Sequence, residues 1–329
     1  MRFLVIGLGS MGKRRTRNLL AHDERDIVGF DVSEERRNEV ESEFNVKTVG
    51  DLADLATDAY DAIIISTPPN KHGDYIRKAL NENKHFFVEV TTSDDGYDEV
   101  LTAPKDDGLV RAPSCTYRFY APIKEMKRQL DSGRIGKLLA FQHHMGQYLP
   151  DWHPWEDYRH VYFAKKETSA IREMFPFEQI WLSWLAGASI DSVAGFIGKI
   201  SDLDMDADDY LSAAVRYENG VIGNTMIDVI SRKPTRRVRL LGTEGVIDWE
   251  LSSPTLRIYD AKTKETEEVP IDMGKPVEGY VTAEDMYVAE MGTFLRALRG
   301  EAPWPYSFEE DLRNLRALYD LEQSGKTEA

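Results

Sequence analysis

Three glycines at Gly7, Gly9 and Gly12, in the run GLGSMG, sit between an apolar stretch at residues 3–6 and a basic, helix-like stretch, KRRTRNLLA. That context is what a dinucleotide-binding turn requires. Gly7 allows a tight turn, Gly9 lets a pyrophosphate approach the backbone, and Gly12 permits close packing of helix on strand. Ser10 and Met11, between the glycines, are candidate cofactor contacts, and the N-terminus of the helix that follows presents free N–H groups to an anion. Asp31 follows 19 residues after Gly12. An acidic side chain there accepts hydrogen bonds from an adenosine ribose and repels a 2′-phosphate, which favours NAD over NADP. Ser33, Arg36 and Arg37 come next, and either face a phosphate or form a solvated helix start, so NADP stays open as an alternative. Residues 1–22 carry Arg2, Lys13, Arg14, Arg15 and Arg17 and no acid, a local +5 that reads as a positive field around the pyrophosphate.

A second polar cluster, Ser66-Thr67-Pro68-Pro69-Asn70-Lys71-His72, falls where a strand at residues 62–66 meets a helix at 72–81. In a doubly wound sheet the carboxyl ends of the strands are where ligands bind. The elements that would position these groups alternate along the first third of the chain. Strands are expected at 2–6, 26–31, 46–49, 62–66, 85–90 and 109–112, and helices at 12–21, 34–43, 52–56, 72–81 and 97–103. Such alternation predicts a parallel sheet wrapped on both faces, an α/β Rossmann domain.

From residue 117 the texture changes to an α+β pattern with a largely antiparallel open sheet. Strands are expected at 138–146, 192–200, 210–217, 221–230, 236–241, 246–250 and 256–260. Asn219-Gly220 suits a two-residue type I′ hairpin. Helices are expected at 122–132, 171–187, 283–299 and 308–323. The division is a cofactor domain over 1–116 and a substrate-binding and oligomerisation domain over 117–329, with the last helix a candidate to pack back on the first.

With the glycine turn, the run STPPNKHGDYIRKALNENKHFFVE resembles the Gfo/Idh/MocA oxidoreductases. The likeness continues through Tyr117-Arg118-Phe119, DSGRIGKLLAF and the closing PYSFEEDLRNLRALYDLEQSG. It implies a nicotinamide cofactor in the cleft between a Rossmann domain and a C-terminal domain whose open sheet commonly mediates homo-oligomerisation. It further implies that Thr67, Pro68, Asn70 and His72 line the nicotinamide half, and that Glu89 matches the glutamate of the family's EKP tripeptide. Read from the residues alone, Pro68 and Pro69 equally suit a strand break, and Asn70 and His72 a cap and first-turn residue.

Two departures from the family pattern bear on chemistry. Where the family reads EKP, this chain reads Glu89-Val90-Thr91, so the usual lysine is a valine. The stretch that resembles the family's DxGxHxxD region contains no histidine here, but carries Glu173 and Glu178. Hydride transfer at carbon needs a partner that moves a proton at oxygen, so replacements must be titratable. Glu173 and Glu178 are five apart, about 140° around one helix, unless Pro176 breaks it. The loop 148–163 and its continuation mix aromatic and charged groups. Trp152 and Trp155 suit stacking on a sugar face, and His153, Tyr158 and Lys166 suit proton transfer or substrate orientation. The alternative is an interdomain or subunit-contact loop. Tyr117 and Arg118 are substrate candidates, Arg118 either clamping an anion or joining the domains.

The leading expectation is an NAD(P)-dependent oxidoreductase acting on a sugar, cyclitol or sugar-derived substrate. Cofactor-assisted elimination without net redox and a non-catalytic regulatory protein are the alternatives. The chain's 329 residues, with 41 Lys and Arg against 57 Asp and Glu, have a net charge of −16, against general attraction to nucleic acid or anionic lipid. No run is apolar enough for a membrane span. The single cysteine, Cys115, reads as a buried thiol, and without Cys/His clusters no metal is expected; both point to a cytoplasmic protein. The basic run Arg232, Lys233, Arg236, Arg237 and Arg239 reads as a strand edge with an exposed face.

Overall fold

In a computed structural model, residues 1–152, 156–274 and 283–324 are described. The chain forms two compact units: Met1–Thr116 with Asp285–Leu312, and Tyr117–Glu284 with Arg313–Ala329. The segment 285–312 therefore belongs with the N-terminal residues. Among the described residues no helix is long and apolar enough to cross a membrane.

The first unit holds a six-stranded parallel sheet: β1 (Phe3–Ile6), β2 (Ile27–Phe30), β3 (Lys47–Val49), β4 (Ala62–Ile65), β5 (His85–Val88) and β6 (Arg111–Pro113). Its order, β3-β2-β1-β4-β5-β6, is that of a dinucleotide-binding sheet. The central strands are apolar on both faces, and Phe3, Val5, Ile64 and Phe87 are fully buried, as a parallel sheet covered on both sides demands. Its helices are α1 (Ser10–Ala21), α2 (Glu34–Phe44), α3 (His72–Asn81) and α4 (Tyr97–Thr102). Only a 3₁₀ turn, Leu52–Asp54, stands where a helix was expected at 52–56; Asp51 caps that turn, but it has no buried residue to hold a longer helix.

The second unit contains α5 (Ala121–Asp131), α6 (Ala170–Ala186) and an eight-stranded sheet. Its strands are β7 (Leu138–Gly146), β8 (Ile190–Gly198), β9 (Tyr210–Tyr217), β10 (Ile222–Asp228), β11 (Thr235–Gly242), β12 (Gly245–Glu250), β13 (Thr255–Asp260) and β14 (Thr266–Pro270). All its pairings are antiparallel except β7 with β10. One face, with Phe141, Leu240, Ile247 and Ile258, is buried; the other leaves Leu139, Phe196 and Ile222 at least half exposed. The polar edge strand β14 lacks the alternation that marks a half-buried strand. Helix α7 (Asp285–Leu298) belongs to the first unit, and α8 (Phe308–Ser324) runs from one unit into the other.

Two local expectations change. Helix α6 is continuous through Pro176, so the proline does not break it. The β9–β10 hairpin closes as Tyr217 N–H to Val221 O and Gly220 N–H to Tyr217 O. Gly220 has φ +85° and Asn219 is not in the left-handed region. This is a three-residue loop with glycine at its bulge, not a type I′ turn.

Candidate active site

The glycine turn between β1 and α1 is as tight as its sequence implies. Gly7 has φ +87°, and a Cβ there would meet Ser66 O at 2.7 Å. At Gly12 a Cβ would lie 1.7 Å from Gly7 O, so helix and turn fit only without it. A Cβ on Gly9 would have nothing nearer than Arg36 Nη1 at 3.9 Å; the space over Gly9 is left for something outside the chain. Gly9 is the N-cap of α1 and no side chain caps it. Ser10 is exposed and Met11 half-buried beside that end, leaving the helix's first N–H groups as the anion donors.

Asp31, just past β2, is buried. Its Oδ2 accepts the Leu8 N–H at 2.8 Å and its Oδ1 the Ser33 N–H at 2.9 Å, which fixes the carboxylate beside the glycine turn. Arg36 Nη1 lies 3.7 Å from Asp31 Oδ2, whereas Arg37 donates to the Asp31 carbonyl at 2.7 Å. Ser33 caps α2 by accepting the Arg36 N–H.

At the carboxyl end of β4, Thr67 and His72 face each other. His72, the first residue of α3, is buried, and its Nε2 lies 2.8 Å from Thr67 O. Burial drives the imidazole down to about 4 against the pull of Thr67 O and Glu89. The neutral ring therefore donates from Nε2 and offers Nδ1 as an acceptor. Ser66 Oγ, Thr67 Oγ1 and His72 Nδ1 are buried without a hydrogen-bond partner among the described residues. Unsatisfied buried polar atoms of this kind are costly, and three together at the carboxyl edge fit the amide- and hydroxyl-bearing nicotinamide half of a dinucleotide. Pro68 and Asn70 are exposed in the adjoining turn, and Asn70 does not cap α3, whose N-cap is Lys71. Glu89, one residue past β5, is bound by Arg15 at 2.6 and 2.9 Å.

The positive field expected over residues 1–22 is largely neutralised. Arg2 pairs with Asp61, Lys13 with Glu39, Arg17 with Glu43, and Arg15 with Glu89 and Glu290. Arg14 lies over the Tyr287 ring. Acids distant in sequence supply the compensation that a local count misses.

Residues 1–110 match the oxidoreductase family with an NAD-binding Rossmann fold, and residues 123–248 match the GFO/IDH/MocA C-terminal domain. The chain belongs to the Gfo/Idh/MocA oxidoreductases. Scyllo-inositol 2-dehydrogenase (NAD(+)) of Bacillus subtilis is 26% identical over 264 residues, 75% of this chain and 73% of that one. UDP-N-acetylglucosamine 3-dehydrogenase of Acidithiobacillus ferrooxidans is 23% identical over 306 residues, 92% and 90% of the two chains. Among solved structures, an Agrobacterium radiobacter oxidoreductase in complex with NAD+, L-tartaric acid and magnesium aligns with TM-score 0.86 at 14% identity, covering 99% and 96%. Levoglucosan dehydrogenase with NADH aligns at 0.83 and 17%, covering 99% and 96%. The first unit is thus an NAD-binding domain. Gly7 and Gly9, in the turn between β1 and α1, and Asp31, Thr67, His72 and Glu89, at or just past the carboxyl ends of their strands, all lie in this domain.

In the second unit the remaining candidates separate. Glu178 is buried: Oε1 accepts Arg236 Nη2 at 2.7 Å and Oε2 accepts Trp181 Nε1 at 2.9 Å. His143 Nε2 lies 3.0 Å from Oε2 without hydrogen-bond alignment. Burial alone would raise the Glu178 carboxyl, but Arg236 and His143 outweigh it and hold it down to about 2. Tyr117 is buried and accepts Arg236 Nη1 at 2.6 Å. Arg118, also buried, donates to Ile180 O at 3.1 Å and lies over Trp184. Glu173 is half-buried in the first turn of α6, Tyr158 half-buried with its hydroxyl accepting the Asp204 N–H at 3.0 Å, and Lys166 exposed. Trp152 packs edge-on against Phe163. His153 and Trp155 lie outside the described residues. Sequence reasoning missed Arg236, which resembled its exposed neighbours Arg237 and Arg239; period-2 alternation places it on the buried face. It also missed Arg15 and Glu290, for which no local signal exists.

Proposed function

We propose that the protein oxidises a hydroxyl of a sugar, cyclitol or sugar-derived substrate with NAD, and that a side chain of the second unit takes the proton. The observation that carries this reading is the set of unpartnered buried atoms on Ser66, Thr67 and His72 beside the glycine turn. The dehydrogenases among the relatives act on inositol and a nucleotide sugar by name, which supports the substrate class. A bound nicotinamide supplies a hydride acceptor at its C4. This chain's part is to orient the cofactor and to accept the hydroxyl proton.

Val90 cannot take that proton, and Glu178 is already engaged by Arg236 and Trp181. The task therefore falls to Tyr158, Lys166, Glu173 or His153, with Trp152, Trp155, Tyr117 and Arg118 shaping the substrate's surroundings. Glu178 serves as a positioning residue. NAD is the preferred cofactor through Asp31, NADP the weaker one. The exposed sheet face, with Leu139, Phe196 and Ile222 beside a 590 Å³ groove that Arg237, Arg239 and Asp248 line, is proposed to join copies of the chain. The lone, buried Cys115 suits a reducing, cytoplasmic compartment. A test is to incubate the protein with NAD and a panel of cyclitols, anhydrosugars and nucleotide sugars and follow absorbance at 340 nm. Turnover with at least one is expected; failure of either nicotinamide form to bind at millimolar concentration would sink the reading.

A further inference from the structure

Five aspartates stand in the run SDLDMDADDY between β8 and β9, and they differ in surroundings. Asp202, Asp204 and Asp206 are exposed and Asp208 half-buried, whereas Asp209 is fully buried. Its Oδ1 accepts the Ile200 N–H at 2.8 Å, and its Oδ2 accepts the Ser201 N–H at 3.0 Å and the Ser201 hydroxyl at 2.5 Å. The Asp209 N–H donates to Gly198 O at 3.1 Å, and its carbonyl accepts the Val229 N–H at 3.0 Å. A carboxylate held at its backbone on both sides and met by three donors fixes the turn at 200–201.

That order passes outward to the loop that carries two of the proposed proton acceptors. Ser201 Oγ, its hydrogen given to Asp209, accepts the Leu203 N–H at 3.2 Å. Leu203 is buried in one core cluster with Leu149 and Phe163, against which Tyr158 and Tyr162 pack. The next N–H along, that of Asp204, donates to the Tyr158 hydroxyl oxygen at 3.0 Å. The Asp204 carboxylate lies 3.6 Å from Arg159 Nη1, and Lys165 forms a β-bridge with Asp206. Because a main-chain donor occupies the Tyr158 oxygen, the hydroxyl hydrogen turns away from Asp204, and among the described residues no acceptor takes it. Tyr158 is half-buried, so that hydrogen is open to solvent or to a ligand hydroxyl.

We infer that Asp209 is a positioning residue: acting through Ser201 and the Asp204 N–H it aims the Tyr158 hydroxyl, and Tyr158 is the group of this loop that meets the substrate hydroxyl. The inference rests on the dehydrogenase reading and adds to it a residue outside the loop that sets the loop's geometry. The contact to Tyr158 runs through a backbone N–H, so the exposed carboxylates of the run have no part in it. Misplacing a group that contacts the reacting hydroxyl by about 1 Å costs up to about 10²-fold in rate.

The experiment compares the full chain as wild type, Ser201→Ala, Asp209→Asn, Tyr158→Phe and the double variant Ser201→Ala with Tyr158→Phe. Amide hydrogen exchange, NAD calorimetry and turnover of a substrate from the cyclitol, anhydrosugar and nucleotide-sugar panel are the readouts. Ser201→Ala removes the link from Asp209 to Leu203, and Asp209→Asn sets an amide NH2 against one of the three donors. Either should speed exchange at 158–165 and 200–204 roughly fivefold, the loss of about one hydrogen bond. Either should also lower kcat by roughly tenfold or more and leave the NAD dissociation constant within about twofold. The kcat loss from Ser201→Ala should vanish in the Tyr158→Phe background, whereas a merely structural role would multiply with it. Asp202→Asn, exposed in the same run, should change none of these. Should Asp209→Asn fail to fold, Ser201→Ala, at a half-buried position, decides. Unchanged exchange at 158–165, or a kcat loss undiminished in the Tyr158→Phe background, overturns the inference while sparing the dehydrogenase reading. Absence of nicotinamide binding or of turnover by wild type overturns both.

Discussion

Arg236 on β11 donates to Glu178 on α6 at 2.7 Å with both side chains out of water. This pair, separated by 58 residues, ties the helix to the buried face of the second sheet, and Tyr117 is held to the same guanidinium. Removing one partner strands the other as an uncompensated buried charge, which costs about 3–5 kcal/mol. Glu178→Ala should therefore lower unfolding stability by about that amount in a denaturant titration. Glu178→Leu combined with Arg236→Met should lose much less, since no charge remains.

The same pair dictates an acid limb of stability. The folded Glu178 carboxyl titrates at about 2, below its unfolded value near 4.5. The unfolded chain therefore binds the extra proton first as pH falls, and the stabilisation, complete above about 4.5, is lost on the way down to about 2. Thermal melting of wild type across that window should decline more steeply than that of Glu178→Gln. Parallel slopes would show that the pair does not carry this dependence.

Much of the architecture was legible because its signals are local. The glycine turn, Asp31, and the alternating strands and helices each follow from residues within one element, and the structure places them where those residues require. The pairs that fix the site are not local. Arg15 looked like part of a basic helix, and its partner Glu290 lies 275 residues away. Arg236 sat in a run of five basic residues, and only its inward register separates it from Arg237 and Arg239. Pro176 looked like a break, yet α6 carries it because the helix is held by its buried face, including Phe175, Gln179 and Leu182. Asn219-Gly220 marked the hairpin correctly, but glycine alone adopted the left-handed conformation.

His72 should act as a fixed hydrogen-bonding group rather than a proton carrier. Burial holds it neutral down to about 4, so NAD affinity should show no inflection assignable to this residue between pH 6 and 8. Unfolded histidine titrates near 6.5; between 6.5 and 4 the unfolded chain binds more protons, and stability falls as pH drops through that window. His72→Phe, which removes the Nδ1 acceptor, should weaken NAD binding by about fivefold, the equivalent of one hydrogen bond. Calorimetry at pH 7 and a pH series of melting curves test the two parts separately.

Asp31 should decide between the two dinucleotides. Its carboxylate is fixed by the Leu8 and Ser33 N–H groups, and Arg36 lies 3.7 Å away with most of its side chain in solvent. Asp31→Ser should remove the repulsion of a 2′-phosphate and leave Arg36 to attract it. NAD affinity should fall and NADP affinity rise, moving their ratio by roughly tenfold or more. A loss shared equally by both cofactors would mean that Asp31 only braces the glycine turn.

The proton acceptor should be found by separating affinity from turnover. Tyr158→Phe removes one hydroxyl, which accepts the Asp204 N–H, and Lys166→Met removes an exposed ammonium while keeping its stem. If either group takes the substrate proton, its variant should lose about 10²–10⁴-fold in kcat, with the pH profile of kcat losing one limb. NAD affinity should hold, because the match to the NAD-binding Rossmann family spans residues 1–110, in the first unit. Glu173→Gln tests the third described candidate in the same assay. A fall in substrate affinity with kcat preserved would instead assign the residue to orienting the sugar, since removing an interaction made equally in ground and transition states raises KM and leaves kcat unchanged.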